Sequence, residues 1–326
     1  MFSEVLNSYL VFNSSDLVSY KTTHTSALQN AYRRGLGYDY TVIGRGETSA
    51  QKYKEVVGRD IVIGGLEAFL STNPRVADKA IVATNLSALS QNTIQLIKYG
   101  VKEIFCEKPG FLYPEECEEV VKVAQANHAK VYLAYNRRFF ASVLKAQEII
   151  AEDGGVKSFN FEFTEWGHVI EKMDKPKGDL ENWMYANSSH VIDLAFYLGG
   201  NPVQINCFTS GELSWHKPAA FAGAGMTEKG ALFNYCANWA APGRWGVEIL
   251  TAKHRLYLRP MEQLQIQNIG SVTITPVEID DHLDKEFKPG FYLETKAFVE
   301  NCTSNLCPIM EQLGHLNDIY VKIKGL

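Results

Sequence analysis

Two short segments of this chain carry side chains whose types and spacing suit proton transfer. The first is Cys106-Glu107-Lys108-Pro109, where a carboxylate and an ammonium close an apolar run that begins at Glu103. Ligands of open α/β folds bind at the carboxyl ends of parallel strands. A lysine there can hydrogen-bond a substrate hydroxyl, and partial burial or a nearby cation lowers its pKa. The tetrapeptide alone also allows a solvated lysine paired with Glu107. The second segment runs from Asn187-Ser188-Ser189-His190 through Asp193 to Gly199-Gly200. Asn and Ser are N-cap types and Gly199 is a helix-closing type, which puts His190 in a first turn. The positive end of a helix disfavours imidazolium, so a neutral ring there can act as general base. Asp193, three residues on, lies on the same side and either orients that ring or caps its own surroundings.

The rest of the chain must position these groups. Up to about residue 138, β-rich runs starting at Tyr9, Tyr40, Asp60, Lys79, Glu103 and Lys130 alternate with segments of helical spacing: SALQNAYRR, LSQNTIQLIKYG and PEECEEVVKVAQANH. Several runs are apolar at successive positions, as parallel strands covered on both faces require. Residues 1–138 therefore predict a doubly wound parallel sheet. A helix over about 140–152 ends at Asp153-Gly154-Gly155, and from there the runs lengthen and alternate: VKSFNFEFTEW, VQINCFTS, ALFNYCANWA, WGVEILTA, HRLYLRP, EQLQIQN and SVTITPVEI. Residues 139–326 thus predict an α+β domain with a large, mostly antiparallel sheet. Its helices fall near 187–198 and 292–301, with a last one near 309–322 expected to pack on the first domain.

Bulk properties exclude other classes. The 326 residues suit two domains, and a formal charge of -5 leaves no basic surplus for a nucleic-acid backbone. No apolar run reaches membrane-spanning length, and the amino-terminal residues show neither a basic region nor a small-residue cleavage site, so a cytoplasmic location is expected. The six cysteines have no metal-ligand spacing and read as reduced thiols, with no metal expected.

Three motifs, CEKP, AYNRRF at Ala134 and SSHVIDLAFYLGG, occur in the order and spacing of one family. The chain resembles the glucose-fructose oxidoreductase and inositol dehydrogenase (Gfo/Idh/MocA) family from about Tyr40 onward. That resemblance implies a Rossmann-like first domain, an NADP or NAD cofactor, and a sugar or nucleotide-sugar substrate. It also implies catalytic roles for Lys108 and His190 and a cis bond before Pro109. Asn136, Arg137 and Arg138 border the substrate pocket by the same resemblance, and the arginines suit an anionic or nucleotide-linked sugar. Ala186 stands where the family usually has an acidic or amide residue, with Asn187 as its substitute. Surface polysaccharide or modified-sugar biosynthesis is the implied setting, and a homodimer or homotetramer the implied assembly. The alternating aromatics Phe159, Phe161 and Phe163 of the second domain's sheet suggest an outer face covered by another subunit.

One part departs from the family. The turn after the first strand, residues 12–24, contains no glycine, although a glycine-rich turn is what lets a backbone approach a pyrophosphate. Aligning His24 with the family's histidine puts Asp16, Val18 and Lys21 at the glycine positions. Ser14 and Ser15, with Ser19, Lys21 and Thr22, are the expected cofactor contacts of a remodelled turn. Arg45, between Gly44 and Gly46, replaces the acidic residue that holds a ribose hydroxyl and can take a 2′-phosphate, favouring NADP. Thr84 and Asn85 border the nicotinamide ribose by resemblance, beside Glu107, Lys108 and Pro109. Two other readings use the same residues: a non-redox relative that binds a sugar nucleotide or a partner, and an NAD-dependent glycosidase.

Overall fold

The computed structural model describes residues 9–13 and 40–326. The glycine-free turn, with Ser14 and Ser15, and the helix expected at SALQNAYRR lie outside the described residues. Tertiary contacts divide the chain into two units: Met1–Ala134 with Glu286–Leu313, and Tyr135–Lys285 with Gly314–Leu326. Where the sequence suggested a boundary at 138, the contacts change sides at Ala134. Arg138 explains the shift, because its guanidinium is bonded to Asp193 inside the second unit.

The first unit holds a seven-stranded sheet in the order β15-β6-β5-β4-β1-β2-β3. Its strands are β1 (Tyr9–Asn13), β2 (Tyr40–Gly44), β3 (Val62–Ile63), β4 (Lys79–Ala83), β5 (Glu103–Glu107), β6 (Lys130–Ala134) and β15 (Cys307–Pro308). Strands β1 to β6 are parallel in the order 3-2-1-4-5-6 of a dinucleotide-binding fold, and only β15 runs antiparallel, against β6. All five residues of β4 are buried, as a central parallel strand demands. Lys79 at its start is held by Glu103 at 2.8 Å, the Phe298 carbonyl and Asn301, which ties helix Phe291–Val299 to the sheet. The long helices are α1 (Glu47–Val57), α2 (Gly65–Ser71), α3 (Leu89–Tyr99) and α4 (Pro114–Ala126), the last with Pro114 in its first turn as the sequence suggests. β3 is shorter than the DIVIGG run because Gly64 and Gly65, both at positive φ, turn the chain out of the sheet.

The second unit is built on eight strands in the order β14-β13-β12-β11-β7-β10-β9-β8. These are β7 (Ser158–Glu162), β8 (Pro202–Ser210), β9 (Ala220–Thr227), β10 (Leu232–Asn238), β11 (Gly246–Leu250), β12 (His254–Leu258), β13 (Gln265–Asn268) and β14 (Ile274–Pro276). Only β7 and β10 pair in parallel. β9 escapes sequence reading because its AFAGAGMT composition is mostly alanine and glycine, with Thr227 at its end the one β-branched residue.

Helices α5 (Ala141–Glu152) and α6 (Ser189–Gly199) also belong to this unit. Phe159, Phe161 and Phe163, expected on an outer face open to another subunit, are instead buried. Their rings meet Phe196 of α6, Phe233 and Tyr235 at centroid separations of 5.2 to 5.9 Å. Burial of the apolar face under α6 decides this, and the opposite face carries polar pairs such as Asn160 with Glu248. Gly199 lets α6 sit so close, since a Cβ there would collide with the Phe159 ring.

Candidate active site

The first unit presents its candidate residues on strand ends. Arg45 follows β2, Thr84 and Asn85 follow β4, and Lys108 with Pro109 follow β5, so parallel register alone sets them along the carboxyl edge of one sheet. Lys108 is half-buried, and its bond to Pro109 is cis, as the resemblance implies. The fully buried Gln312 donates to the Pro109 carbonyl at 3.0 Å, fixing the turn from a helix far along the chain. Thr84 receives the Asn92 amide at 3.4 Å.

A dinucleotide requires room and a polar wall at this edge. Beside β2, a cleft of about 210 Å³ is lined by Arg45, the Gly64-Gly65 turn and the amides of Gln91, Asn92 and Gln95. Gly65 has a φ of +80°, and a Cβ on it would stand 3.0 Å from Arg45 Cγ, so a side chain there would narrow the cleft. The Arg45 guanidinium can meet an anion, and the Glu67 carboxylate on the same lining can accept from a hydroxyl.

In the second unit, side chains remote in sequence converge on His190. The imidazole is buried, edge-on to Tyr135 at 6.0 Å and 6.2 Å from the Trp245 ring. Arg137 lies 4.8 Å above Trp245, and Arg244 lies 4.6 Å from the same indole and 4.8 Å from Trp166. Stacking of this kind holds a guanidinium by its face and leaves its edge donors for a planar anion. Asn136, also buried, accepts from Arg137 at 3.3 Å.

Glu165 completes the group. It is 2% exposed, accepts the Asn187 amide at 3.0 Å and the Ser188 hydroxyl at 2.8 Å, and lies 3.9 Å from Arg244. Burial pushes its carboxyl above the usual range, opposed by those two hydrogen bonds and by the Arg244 charge.

Two expectations about the histidine helix change. Asn187 and Ser188 do not cap it: Ser188 has helical angles, and a π-helical turn, Met184–Ser188, runs directly into α6. The Glu165 carboxylate takes their side-chain donors instead, so His190 is not at an open helix terminus. Asp193 is engaged by a different partner from the one the sequence suggests. It accepts two hydrogen bonds from Arg138, at 2.8 and 2.5 Å, with both partners almost fully buried and His315 at 3.6 Å. Arg138 also lies 4.5 Å from the Tyr197 ring. This pair braces the turn that carries Arg137 and engages the Arg138 guanidinium inside the second unit.

Sequence reading did not select Glu165, Arg244 and Trp245. Their only signal was a charge beside an indole at each strand end, Glu165-Trp166 after β7 and Arg244-Trp245 before β11. The six cysteines form no disulfide with one another, and burial pushes the Cys106 and Cys117 thiols up to about 12, which suits reduced core thiols.

Residues 22–135 match the model of a family described as an oxidoreductase family with an NAD-binding Rossmann fold. A search of curated proteins returns no match. Among solved structures, the chain is similar to a UDP-N-acetylglucosamine 3-dehydrogenase from Acidithiobacillus ferrooxidans, at 16% identity and a TM-score of 0.70, covering 97% of each chain. An inositol dehydrogenase homologue from Azotobacter vinelandii, complexed with NADH and myo-inositol, matches at 14% identity and 0.74, over 96% of this chain and 93% of that one. A levoglucosan dehydrogenase complexed with NADH and levoglucosan matches at 15% and 0.73, over 94% of each. Likeness at such identities establishes the two-part fold. No helix among the described residues is long and apolar enough to cross a membrane.

Proposed function

We propose, from the match of residues 22–135 to an oxidoreductase family with an NAD-binding Rossmann fold, that the protein interconverts a hydroxyl and a keto group on an anionic sugar or nucleotide sugar. The observation that carries this reading is the surround of His190, a buried imidazole between Tyr135 and Trp245 with two guanidiniums stacked on the same indole. An aromatic wall suits the apolar face of a sugar ring, and paired guanidiniums suit a carboxylate or phosphate carried with it. The three similar structures bear the names of sugar or cyclitol enzymes, which leans the same way.

In this reading His190 takes the proton of the reacting hydroxyl, and Lys108 donates a hydrogen bond to the same oxygen. Arg137 and Arg244 hold the anion, while Glu165 fixes Asn187, Ser188 and Arg244 in place. The nicotinamide cofactor supplies or accepts the hydride when bound. Arg45, Thr84, Asn85 and the Glu107-Lys108-Pro109 turn hold it, and Arg45 favours NADP. A homo-oligomer working in surface polysaccharide or modified-sugar biosynthesis goes with the reading; light scattering at the mass of one chain would remove the oligomer.

The test is a fluorescence titration with NADPH and NADH followed by turnover on a panel of UDP-sugars. Saturable binding of a nucleotide and turnover lost in Lys108→Ala are expected. Undetectable binding of both nucleotides at millimolar concentration would overturn the proposal. That outcome would favour the non-redox relative, which the absence of glycine across residues 12–24 supports.

A further inference from the structure

The second unit has an opening apart from the surround of His190. It is a cleft of about 690 Å³ whose walls include Trp166, Trp215 and Trp239, with His168, Glu171 and Glu212 among its polar lining. That volume is within the range of small-molecule sites. The indoles are fixed by their own contacts. Trp239 is 2% exposed and donates its ring N–H to the Phe163 carbonyl at 3.2 Å. Trp215 stacks on it at 5.7 Å and 9°, with Trp183 edge-on behind at 6.3 Å. Trp166 donates to the Gly243 carbonyl at 3.1 Å and is 49% exposed. With two ring N–H groups spent on backbone, what these side chains offer a ligand is flat C–H and π surface, held at little entropic cost on binding.

The polar complement is acidic. Glu171 accepts the Ser214 hydroxyl, which places a carboxylate on the cleft wall, and Glu212 lies on the same wall. No lysine or arginine is among the lining residues. Flat indoles with carboxylate acceptors match a neutral pyranose, whose C–H face stacks and whose hydroxyls donate. Glu212 is paired with Lys217 at 3.5 Å, so the cleft offers an anion little uncompensated positive charge. The cleft is joined to the His190 surround by a shared wall: Trp166 and Gly243 line it, and Arg244, which stacks on Trp166, also stacks on Trp245.

We propose that the tryptophan cleft is a second saccharide subsite that binds a neutral sugar ring attached to the reacting, anionic residue. Resting on the sugar-oxidoreductase reading, it makes the substrate at least a disaccharide or glycosylated unit. Arg244 marks the division between an anion-reading half and a neutral-ring half.

Binding to the cleft needs no nucleotide, so its test is separate from the redox test. The full-length protein, without cofactor, is titrated with cellobiose, maltose and N,N′-diacetylchitobiose, read by tryptophan fluorescence and by saturation-transfer NMR. At least one disaccharide is expected to bind saturably. Trp166→Ala should weaken it about tenfold, Trp166→Phe should retain most of it, and His190→Ala should leave it unchanged. Trp166 is half-exposed, so its removal should spare the fold, checked by thermal melting. No saturable binding of any of the three at tens of millimolar would overturn the subsite. So would affinity lost in His190→Ala but kept in Trp166→Ala, which would put the sugar in the redox pocket. Loss of nucleotide binding with disaccharide binding intact would leave the subsite standing and remove only the redox reading.

Discussion

The carboxyl edge of the first sheet and the surround of His190 are made from opposite materials. Along the edge, Arg45, Thr84, Asn85 and Lys108 are each the next residues after a strand, so sheet register places them. Around His190, the partners come from the turn at Tyr135, the segment after β7, the residues before β11 and the start of α6, and aromatic packing places them. The contrast teaches that an edge built from strand ends is readable as local motifs, whereas a pocket built by convergence appears only after folding. Arg137 and Arg138 show this within one dipeptide. The first is stacked on Trp245, while the second is sunk in a bidentate pair with Asp193.

The severest challenge to the comparison asks whether chemistry draws on both regions. Lys108→Ala and His190→Ala should each lower kcat about 10³-fold, as loss of a proton-transfer group does. The double variant should be little slower than the worse single, because groups acting on one step are not additive. Multiplicative losses in steady-state kinetics would show that the two residues do not share a step.

Next in size is the arginine pair. Arg138→Ala leaves Asp193 buried without its partner and should cost the second unit about 3–5 kcal/mol in denaturant unfolding. Arg137→Ala should change stability by less than about 1 kcal/mol. Equal effects would erase the distinction between brace and ligand.

A third expectation is confined to the second unit. His216 is buried against Trp239 and donates from Nδ1 to the Pro218 carbonyl at 2.9 Å; burial lowers its pKa to about 4. Between pH 6.5 and 4 the unfolded imidazole binds a proton that the folded one refuses, so stability falls as pH drops through that window. The loss approaches about 3 kcal/mol at its lower end. Thermal melts against pH should show an acid limb that His216→Gln flattens, and an unchanged limb would discard the assignment.

The smallest effects separate the two regions most cleanly. Arg45→Ala should raise the KM for NADPH about tenfold and leave the sugar KM alone, and Arg244→Ala should do the reverse. A variant that shifts both constants together would merge the two assignments.

Much of the architecture was legible before folding. The apolar runs of β2, β4, β5 and β6 have one register and one covering pattern available to them, so the parallel sheet and the Lys108-Pro109 turn at its edge follow from local sequence. Antiparallel β9 was not legible, because Gly223 and Gly225 look like loop residues until the Tyr235 and Phe233 rings lie over them. The inward face of Phe159, Phe161 and Phe163 was misassigned for a related reason. Alternation gives two faces and cannot say which one a helix covers.

The sequence by itself determined the parallel strands β2, β4, β5 and β6 of the first sheet and the place of Lys108 at the end of β5. Tertiary structure alone decided that Asn187 and Ser188 serve Glu165 rather than a helix end, and that Arg138 belongs to Asp193. It also brought Arg244 and Trp245 to His190. The physical reason is range: strand ends and turns follow from neighbours a few residues away, whereas a buried carboxylate chooses its donors only among the groups that folding brings within about 3 Å of it.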